Sequence, residues 1–408
     1  MNILIIGGSG NAPSANSVCV RNMAQEFIRR GHKVWNLAAG DDCVTKPGNI
    51  GGAELWQIPD DYYMRLTKSM ARPHSCIKKL WYIMVSLFRH IVLLLLYPMT
   101  EPIRANKVLN KAEQLVQKEG INLIIAIHNN YTNINAGIKL KKRYGSKLMV
   151  VDYHLDLRTA SLNTSKLIQS YVRKYSFNSI ANECQIVDKI LIPYSGQAEI
   201  EELKGIDLRK FRFVGLPVFI KEPQIETCDL PFEKDAINIS YIGSLSLENR
   251  NPSYVIGLLE KASEMIGKKI IAHFWGDADG MENMINRTSI ALYHGMVESR
   301  YVSYIMAKSD FLLNIGNAIA YNMLPSKVFG LFATGKPVIN IITHPKDATI
   351  PYFKRYNHSI DLKEYSPLPE DVIMLANGIK KMSKEPLRDA DSLFDDFKPE
   401  TICDIVLK

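Results

Sequence analysis

Residues 310–342, DFLLNIGNAIAYNMLPSKVFGLFATGKPVINII, constrain the fold more than any other stretch. Phe311–Ile315 is a short, largely apolar run, the mark of a strand buried on both faces. A polar loop bearing Gly316 and Asn317 follows. Pro325 and Ser326 then open an amphipathic segment, and proline in a first turn with serine beside it signals a helix start. Gly335 stops that helix, and Pro337 leads into a second apolar run ending at Ile342. Two buried strands joined through a helix lie parallel in an open sheet. Ligands bind such sheets at the carboxyl ends of the strands, which is where this helix begins. Its free N–H groups and positive dipole end favour an anion. Ser326 adds a hydroxyl and Lys327 a full charge. The segment reads as a seat for a phosphate or diphosphate, or else as an ordinary strand–helix–strand unit with a capping Ser326 and a solvated Lys327.

The same alternation runs through the chain twice. Strand signals stand at Asn2–Ile6, 33–37, 122–127, 147–151, Lys189–Pro193 and Phe211–Val214, with helical segments between them. A proline-rich, charged stretch, KEPQIETCDLPFEK at 221–234, breaks the pattern and reads as a linker. A second set follows near Ile237–Ile242, Ile270–Trp275, 290–293, Phe311–Ile315 and Val338–Ile342. The expected fold class is α/β, with two Rossmann-like doubly wound halves: an N-terminal domain over 1–220, a linker over 221–236, a C-terminal domain over 237–388 and a tail over 389–408. With 408 residues, 47% apolar and 23% charged, the chain has the balance of a globular protein of two or three domains. Its six cysteines are scattered without a CxxC pair, so neither a disulfide framework nor a zinc site is expected, which suits a reducing compartment. MNILIIGG is already a strand and lacks the basic leader of a signal peptide.

The stretch 62–100 departs from the alternation. It carries Arg65, Lys68, Arg72, Lys78, Lys79 and Arg89, no acidic residue, and the run IVLLLLYP. Its apolar part falls short of the roughly 20 residues needed to span a bilayer, and Arg89 and His90 sit within it. One central arginine costs about 2.5–3.5 kcal/mol on insertion scales. On a helix, Lys79, Ser86, Arg89 and His90 form a narrow polar stripe. That pattern suits a helix lying in the headgroup plane of an anionic membrane surface. The other reading is a buried core helix with a solvated basic lead-in. A nucleic-acid partner is disfavoured, because the basic residues are interleaved with leucines rather than with a groove-reading motif.

Several stretches together resemble the GT-B glycosyltransferases of the group 1, GT4-like family. Leu324-Pro-Ser-Lys327 with Ala333-Thr-Gly-Lys-Pro-Val-Ile339 is similar to that family's donor-diphosphate helix and following strand. Tyr241-Ile-Gly-Ser-Leu245, followed by Arg250-Asn-Pro252, resembles the first loop of its C-terminal half. Phe274-Trp-Gly-Asp277 resembles its glycine turn, and His294-Gly-Met-Val297 its base-binding segment. Met306-Ala-Lys-Ser-Asp310 resembles the helix end before the donor strand, and MNILIIGG and Val151-Asp-Tyr-His154 the opening strand and histidine loop of its N-terminal half. The resemblance implies two Rossmann-like domains facing across a cleft. It also implies transfer of a sugar, with retained configuration, from a nucleotide diphosphate sugar. Lys327 and Arg250 would hold the diphosphate, and Gly8, Gly243, Ser244, Val297 and Ser326 would line the substrate. The chain departs from the pattern in two places. Ser244 stands where an arginine is common, and the family's paired glutamates would fall at Asn322 and Gly330. Asn317, Tyr321 or Asn322 would then take over contacts to ribose or sugar.

Departure of a diphosphate needs fixed donors where negative charge grows. Lys327, Arg250 and Ser326 supply them without a metal, so no cofactor is expected. Asp277-Ala-Asp279 has the look of a metal-binding pair but sits in a glycine turn with no other ligand near it in sequence, which favours a solvated turn. His154, flanked by Asp152 and Asp156, follows a strand and would assist transfer or contact the sugar; His128-Asn129-Asn130 is a second acceptor-side candidate. The Gly7-Gly8-Ser9 loop either approaches a ligand or makes a tight turn. The basic, apolar 62–100 stretch adds a lipid-diphosphate-linked glycan as acceptor. The expected setting is assembly of a bacterial surface polysaccharide at the cytoplasmic face of the cell membrane. A nucleotide-sugar epimerase and a non-catalytic glycan- or nucleotide-binding protein are the alternatives.

Overall fold

The structure is a computed structural model that describes residues 1–408 apart from 9, 11–13, 41–46, 60–61, 71–74, 99–101, 129–130, 156–165, 204 and 221–225; the side chains at 64, 68, 93–94, 166–169 and 198 are likewise left aside. Ser9, the side chain of Lys68, Arg72, Asn129, Asn130, Asp156 and the start of the expected linker thus lie outside the described residues. The chain forms two compact units, one of Met1–Pro217 with Asp396–Lys408, the other of Val218–Asp395.

The first unit is built on an eight-stranded sheet. Its strands are β1 (Asn2–Ile6), β2 (Lys33–Gly40), β3 (Gly48–Ile50), β4 (Ala53–Pro59), β5 (Leu123–His128), β6 (Met149–His154), β7 (Lys189–Pro193) and β8 (Phe211–Val214), in the order β3-β4-β2-β1-β5-β6-β7-β8. All pairs are parallel except the β3–β4 hairpin. Ile3 to Ile6 and Leu123 to Ile127 are fully buried, as unbroken apolar strands must be when helices cover both faces. The helix Pro102–Glu119 turns Val108, Leu109, Ala112, Leu115 and Val116 onto one face of this sheet.

The C-terminal segment belongs to this unit rather than standing as a separate tail. Ile402, Cys403 and Val406 of the helix Pro399–Leu407 are fully buried, and the helix packs on Ala15–Arg29. Arg30 binds Asp404 and donates to the Glu400 carbonyl at 2.9 Å, while the Lys189 ammonium donates to the carbonyls of Ile405 (3.0 Å) and Val406 (3.3 Å). Basic side chains at the open carbonyl end of a helix complement its dipole.

The 62–100 stretch forms two helices, Tyr62–Ser69 and Cys76–Leu96. The expected polar stripe lies wholly on the longer helix, and part of it turns towards the shorter one. The Tyr63 hydroxyl lies 3.3 Å from Ser86 Oγ, and the Arg89 guanidinium sits 4.1 Å from the Tyr63 ring centroid. Ser86 and Arg89 therefore face the shorter helix, where a tyrosine ring and hydroxyl offer partners. No described residue of Cys76–Leu96 is buried, which rules out the core-helix reading. Its outward side carries Ile77, Leu80, Ile83, Met84, Leu87, Phe88, Ile91 and Leu95, exposed by 53–82%. No helix among the described residues is long and apolar enough to cross a membrane.

The second unit holds a six-stranded, wholly parallel sheet of β9 (Ile237–Ile242), β10 (Ile270–Trp275), β11 (Ala291–Gly295), β12 (Phe311–Ile315), β13 (Val338–Ile342) and β14 (Ser359–Lys363), in the order β11-β10-β9-β12-β13-β14. Ile239, Leu313, Ile339, Ile341 and Leu362 point into one core with Leu259, Leu375 and Ile379 of the covering helices. Strand order reverses between β9 and β12, so the loops after these two strands leave in opposite directions and open a crevice.

Candidate functional site

The β9/β12 junction shows how the backbone makes room. β9 pairs with β10 along six residues but with β12 only at Phe311–Ile239 and Leu312–Ser240. Beyond those pairs the strands part, and polar side chains fill the gap. The Tyr241 hydroxyl donates to the Ser244 carbonyl at 2.8 Å, turning the loop after β9 back on itself. That loop also touches the loop after β10. Gly243 has φ +150° and Gly276 φ +124°, and a Cβ on Gly276 would lie 2.3 Å from the Gly243 oxygen. Only glycine allows this approach at this backbone angle.

Lys327 is the first residue of the helix Lys327–Ala333. Its ammonium lies 3.2 Å from the Tyr241 hydroxyl, 4.3 Å from the ring centroid and against Gly243. Burial, then the charge of Arg250, hold its pKa well below the ordinary lysine value. Lys327 as a whole is half-buried. Arg250 donates from Nε to Asn317 Oδ1 at 2.7 Å and from a terminal nitrogen to the Ser244 carbonyl at 3.3 Å. Among the described residues neither cation forms an ion pair with a carboxylate.

Sequence reasoning missed Asn249, which joins the loop after β9 to the loop after β12. Its amide donates to Asn317 Oδ1 at 3.3 Å, and its Oδ1 accepts from the Ile319 N–H at 2.9 Å. Asn317 is buried, and its Oδ1 is taken by Arg250 and Asn249, so it positions Arg250. The Tyr321 ring stacks on His344 at 3.6 Å, and its carbonyl accepts from the Ala348 N–H at 2.8 Å. Asn322 is exposed. Ser326 makes no capping bond, contrary to the capping reading, because it is itself in the helical conformation. Val297 is half-buried between β11 and the helix Ser299–Lys308. Under the ends of β10 and β11, His273 Nδ1 lies 2.9 Å from His294 Nε2 and its Nε2 lies 3.1 Å from Asn238 Oδ1. Burial, with His294 second, pushes the His273 pKa down to about 4. Asp277 and Asp279 are exposed in a turn where Asp277 Oδ1 accepts from the Asp279 N–H at 3.1 Å. Among the described residues no group of three or more His, Cys, Asp and Glu is placed to hold a metal ion.

The first unit has its own reversal, between β1 and β5. Gly8, just past β1, is buried with φ +79°, and a Cβ there would meet Val20 at 3.2 Å. Close packing of loop on helix accounts for that glycine. His128 and His154 end the neighbouring strands β5 and β6 in register, and their rings stack at 5.0 Å and 9°. His154 is 1% exposed and Asp152, on the same face of β6, is fully buried. His154 Nε2 lies 3.5 Å from Glu183 Oε2, a fully buried carboxylate on the helix Lys166–Ile186 that also accepts from Ser179 Oγ at 2.9 Å. Of the two histidines, His128 is the half-exposed one. Glu183 carries no local sequence signal; only the packing of its helix brings it to His154.

No protein-family model and no curated protein matches the chain. Solved structures do. WaaG, a glycosyltransferase involved in lipopolysaccharide biosynthesis, is 11% identical with a TM-score of 0.55, over 99% of this chain and 99% of that one. The lipopolysaccharide outer core galactosyltransferase WaaB is 13% identical at 0.53, over 99% and 97%. The glycotransferase of kitacinnamycin is 11% identical at 0.52, over 99% and 98%. The chain has the GT-B fold. The likeness runs over 99% of the chain in each case; identity this low carries the fold and leaves the chemistry to the residues.

Proposed function

We propose that the chain is a glycosyltransferase whose second unit binds a nucleotide diphosphate sugar. The observation that carries this reading is the pair Lys327 and Arg250, two cations at the strand-order reversal, neither of which forms an ion pair with a carboxylate among the described residues. Such a pair is costly to hold together unless an anion completes it. When the bond between the anomeric carbon and the phosphate oxygen breaks, its electron pair leaves with the diphosphate. Lys327 and Arg250 stand fixed where that charge accumulates, so stabilisation requires no reorganisation and no metal. The carbon then bonds to an acceptor hydroxyl. In the retaining course the leaving phosphate takes the acceptor proton; in an inverting course a side chain must take it. On the first unit, His128 is the histidine with surface to meet an acceptor, and His154 with Glu183 holds it from behind.

The acceptor we propose is a lipid-diphosphate-linked glycan, in bacterial surface polysaccharide synthesis. Support comes from the helix Cys76–Leu96, whose apolar side is exposed along its length, with Lys78 and Lys79 at one end and no acidic residue on it. An apolar helix face with flanking cations binds the boundary between headgroups and acyl chains. WaaG and WaaB are named for lipopolysaccharide, which accords with this reading without carrying it. The test is release of nucleoside diphosphate from a panel of nucleotide sugars, with and without a lipid extract as acceptor source. Release that needs the extract and vanishes in Lys327→Ala supports the reading. Isomerised nucleotide sugar formed without the extract would make the protein an epimerase.

A further inference from the structure

Asp347 is the buried acid that the donor reading does not use. It lies in the loop after β13, beside the loops that carry Arg250 and Tyr321, and is 5% exposed. Its Oδ1 is satisfied, accepting from the Thr349 N–H at 2.8 Å and hydroxyl at 2.7 Å. Its Oδ2 has no hydrogen-bond partner, and neither has the hydroxyl of Thr343, which is likewise buried. Both oxygens face Gly316, the first residue after β12. A Cβ there would lie 2.4 Å from Asp347 Oδ2 and 3.0 Å from Thr343 Oγ1. A buried oxygen without a donor costs about 1–3 kcal/mol, more for a charged group, so it is kept where a ligand or a structural need repays it. Burial raises the pKa of Asp347, opposed by Thr349, His344 and Arg250 in that order. The charge of Arg250 acts on both Lys327 and Asp347, so a lysine and a carboxyl share its neighbourhood.

A nucleotide diphosphate sugar has that same polarity. Its diphosphate wants cations; the rings on either side of it carry hydroxyls that want acceptors. The side chains at the positions where the resemblance expects carboxylates supply none: Asn322 is exposed and Gly330 has open space where a side chain would begin. Asn317 is occupied by Arg250 and Asn249. We propose that Asp347, with Thr343 beside it, binds a sugar-ring hydroxyl of the donor through Oδ2, supplying from the loop after β13 the acceptor that the 317–330 segment lacks. This rests on the donor reading above, and the chemistry is that of a carboxylate receiving a ring hydroxyl, whether of the ribose or of the transferred sugar.

The experiment is calorimetric titration of the full chain with inorganic pyrophosphate, with UDP, GDP, CDP and ADP, and with the glucose conjugate of each. Wild type, Asp347→Asn and Lys327→Ala are compared, each checked by thermal melting. Asp347→Asn keeps the Oδ1 acceptor for Thr349 and changes only the free oxygen. The expected result is unchanged pyrophosphate binding with a loss on the order of tenfold wherever the bound ring is present. Loss confined to the glucose conjugate assigns the oxygen to the transferred sugar; loss shared by the nucleoside diphosphate assigns it to the ribose. Gly316→Ala, which pushes on the same oxygen, reproduces the pattern. Equal affinities in Asp347→Asn and wild type overturn the proposal. So does an equal loss for all probes including pyrophosphate, which would make Asp347 a scaffold residue. Wild type that binds none of the probes overturns the donor reading itself, whereas Lys327→Ala losing all of them while Asp347→Asn loses none sinks only this inference.

Discussion

The two strand-order reversals of this molecule have the same topology and opposite electrostatics. At the β9/β12 reversal, Lys327 and Arg250 stand together, and among the described residues neither forms an ion pair with an acid. Beside the β1/β5 reversal, at the end of the next strand β6, the inward histidine His154 is backed by the buried carboxylate of Glu183. The first arrangement would suit an anion under the proposed function, while in the second the described histidine with exposed surface is His128. A shared sheet order thus fixes where ligands approach, and the side chains at each crossing decide what kind they are.

The contrast makes its largest prediction at Lys327. Lys327→Ala should lower turnover by roughly 10²–10³, the usual cost of one fixed donor to a developing anion. Its melting temperature should stay within a few degrees of wild type or rise, because a desolvated cation has gone. Loss of folded protein instead would mean that Lys327 is structural.

Next in size is an effect of pH. His273 has a folded pKa of about 4 against an ordinary value of 6.5. The folded state therefore binds the proton less readily than the unfolded one. The stability this contributes is complete above pH 6.5 and is lost as pH falls through 4, by roughly 3 kcal/mol. Urea titrations at pH 7 and 4.5 should show a smaller decline in His273→Gln than in wild type.

The histidine pair should answer in stability. His154→Ala should cost about 2–3 kcal/mol by opening a cavity beside buried Glu183, whereas His128→Ala should lower transfer and leave the melt nearly unchanged. Equal destabilisation by both would erase the distinction between an inner and an outer histidine. The smallest effect is expected at Asn249. Removing its loop-joining bonds in Asn249→Ala should cost about 1 kcal/mol and raise KM for the donor more than it lowers kcat, since Arg250 loses its guide.

The strands were legible where their chemistry was local. β1, β5, β9, β12 and β13 are short, largely apolar runs, so their positions follow from the sequence. The hairpin β3–β4 was legible too but was passed over: Gly51 and Gly52, at φ +58° and +89°, form the two-residue turn that a Gly-Gly pair favours. β14, Ser359–Lys363, alternates with polar residues at a sheet edge, which hides it among loops. That Lys327 and Arg250 come near one another was legible because both fall after strands at the middle of the second sheet. Glu183, Asn249 and Asp347 were not, because each acts through a partner far away in sequence: His154, Asn317 and Gly316. The return of the C-terminal helix to the first unit, and the turning of Ser86 and Arg89 onto Tyr63, are likewise tertiary facts. Periodicity reports which side of a helix is polar; it does not report what covers it.

If Lys327 and Arg250 seat a diphosphate, thermal shift with nucleoside diphosphates will show it. A ligand present at 100 times its dissociation constant adds about 2.7 kcal/mol, a visible rise in melting temperature. The account predicts a rise selective for one base among UDP, GDP, CDP and ADP. The rise should be present without added magnesium, weaken as pH climbs and Lys327 loses its proton, and be abolished in Lys327→Ala. An equal rise in Lys327→Ala, or none with any diphosphate in the wild type, would contradict it.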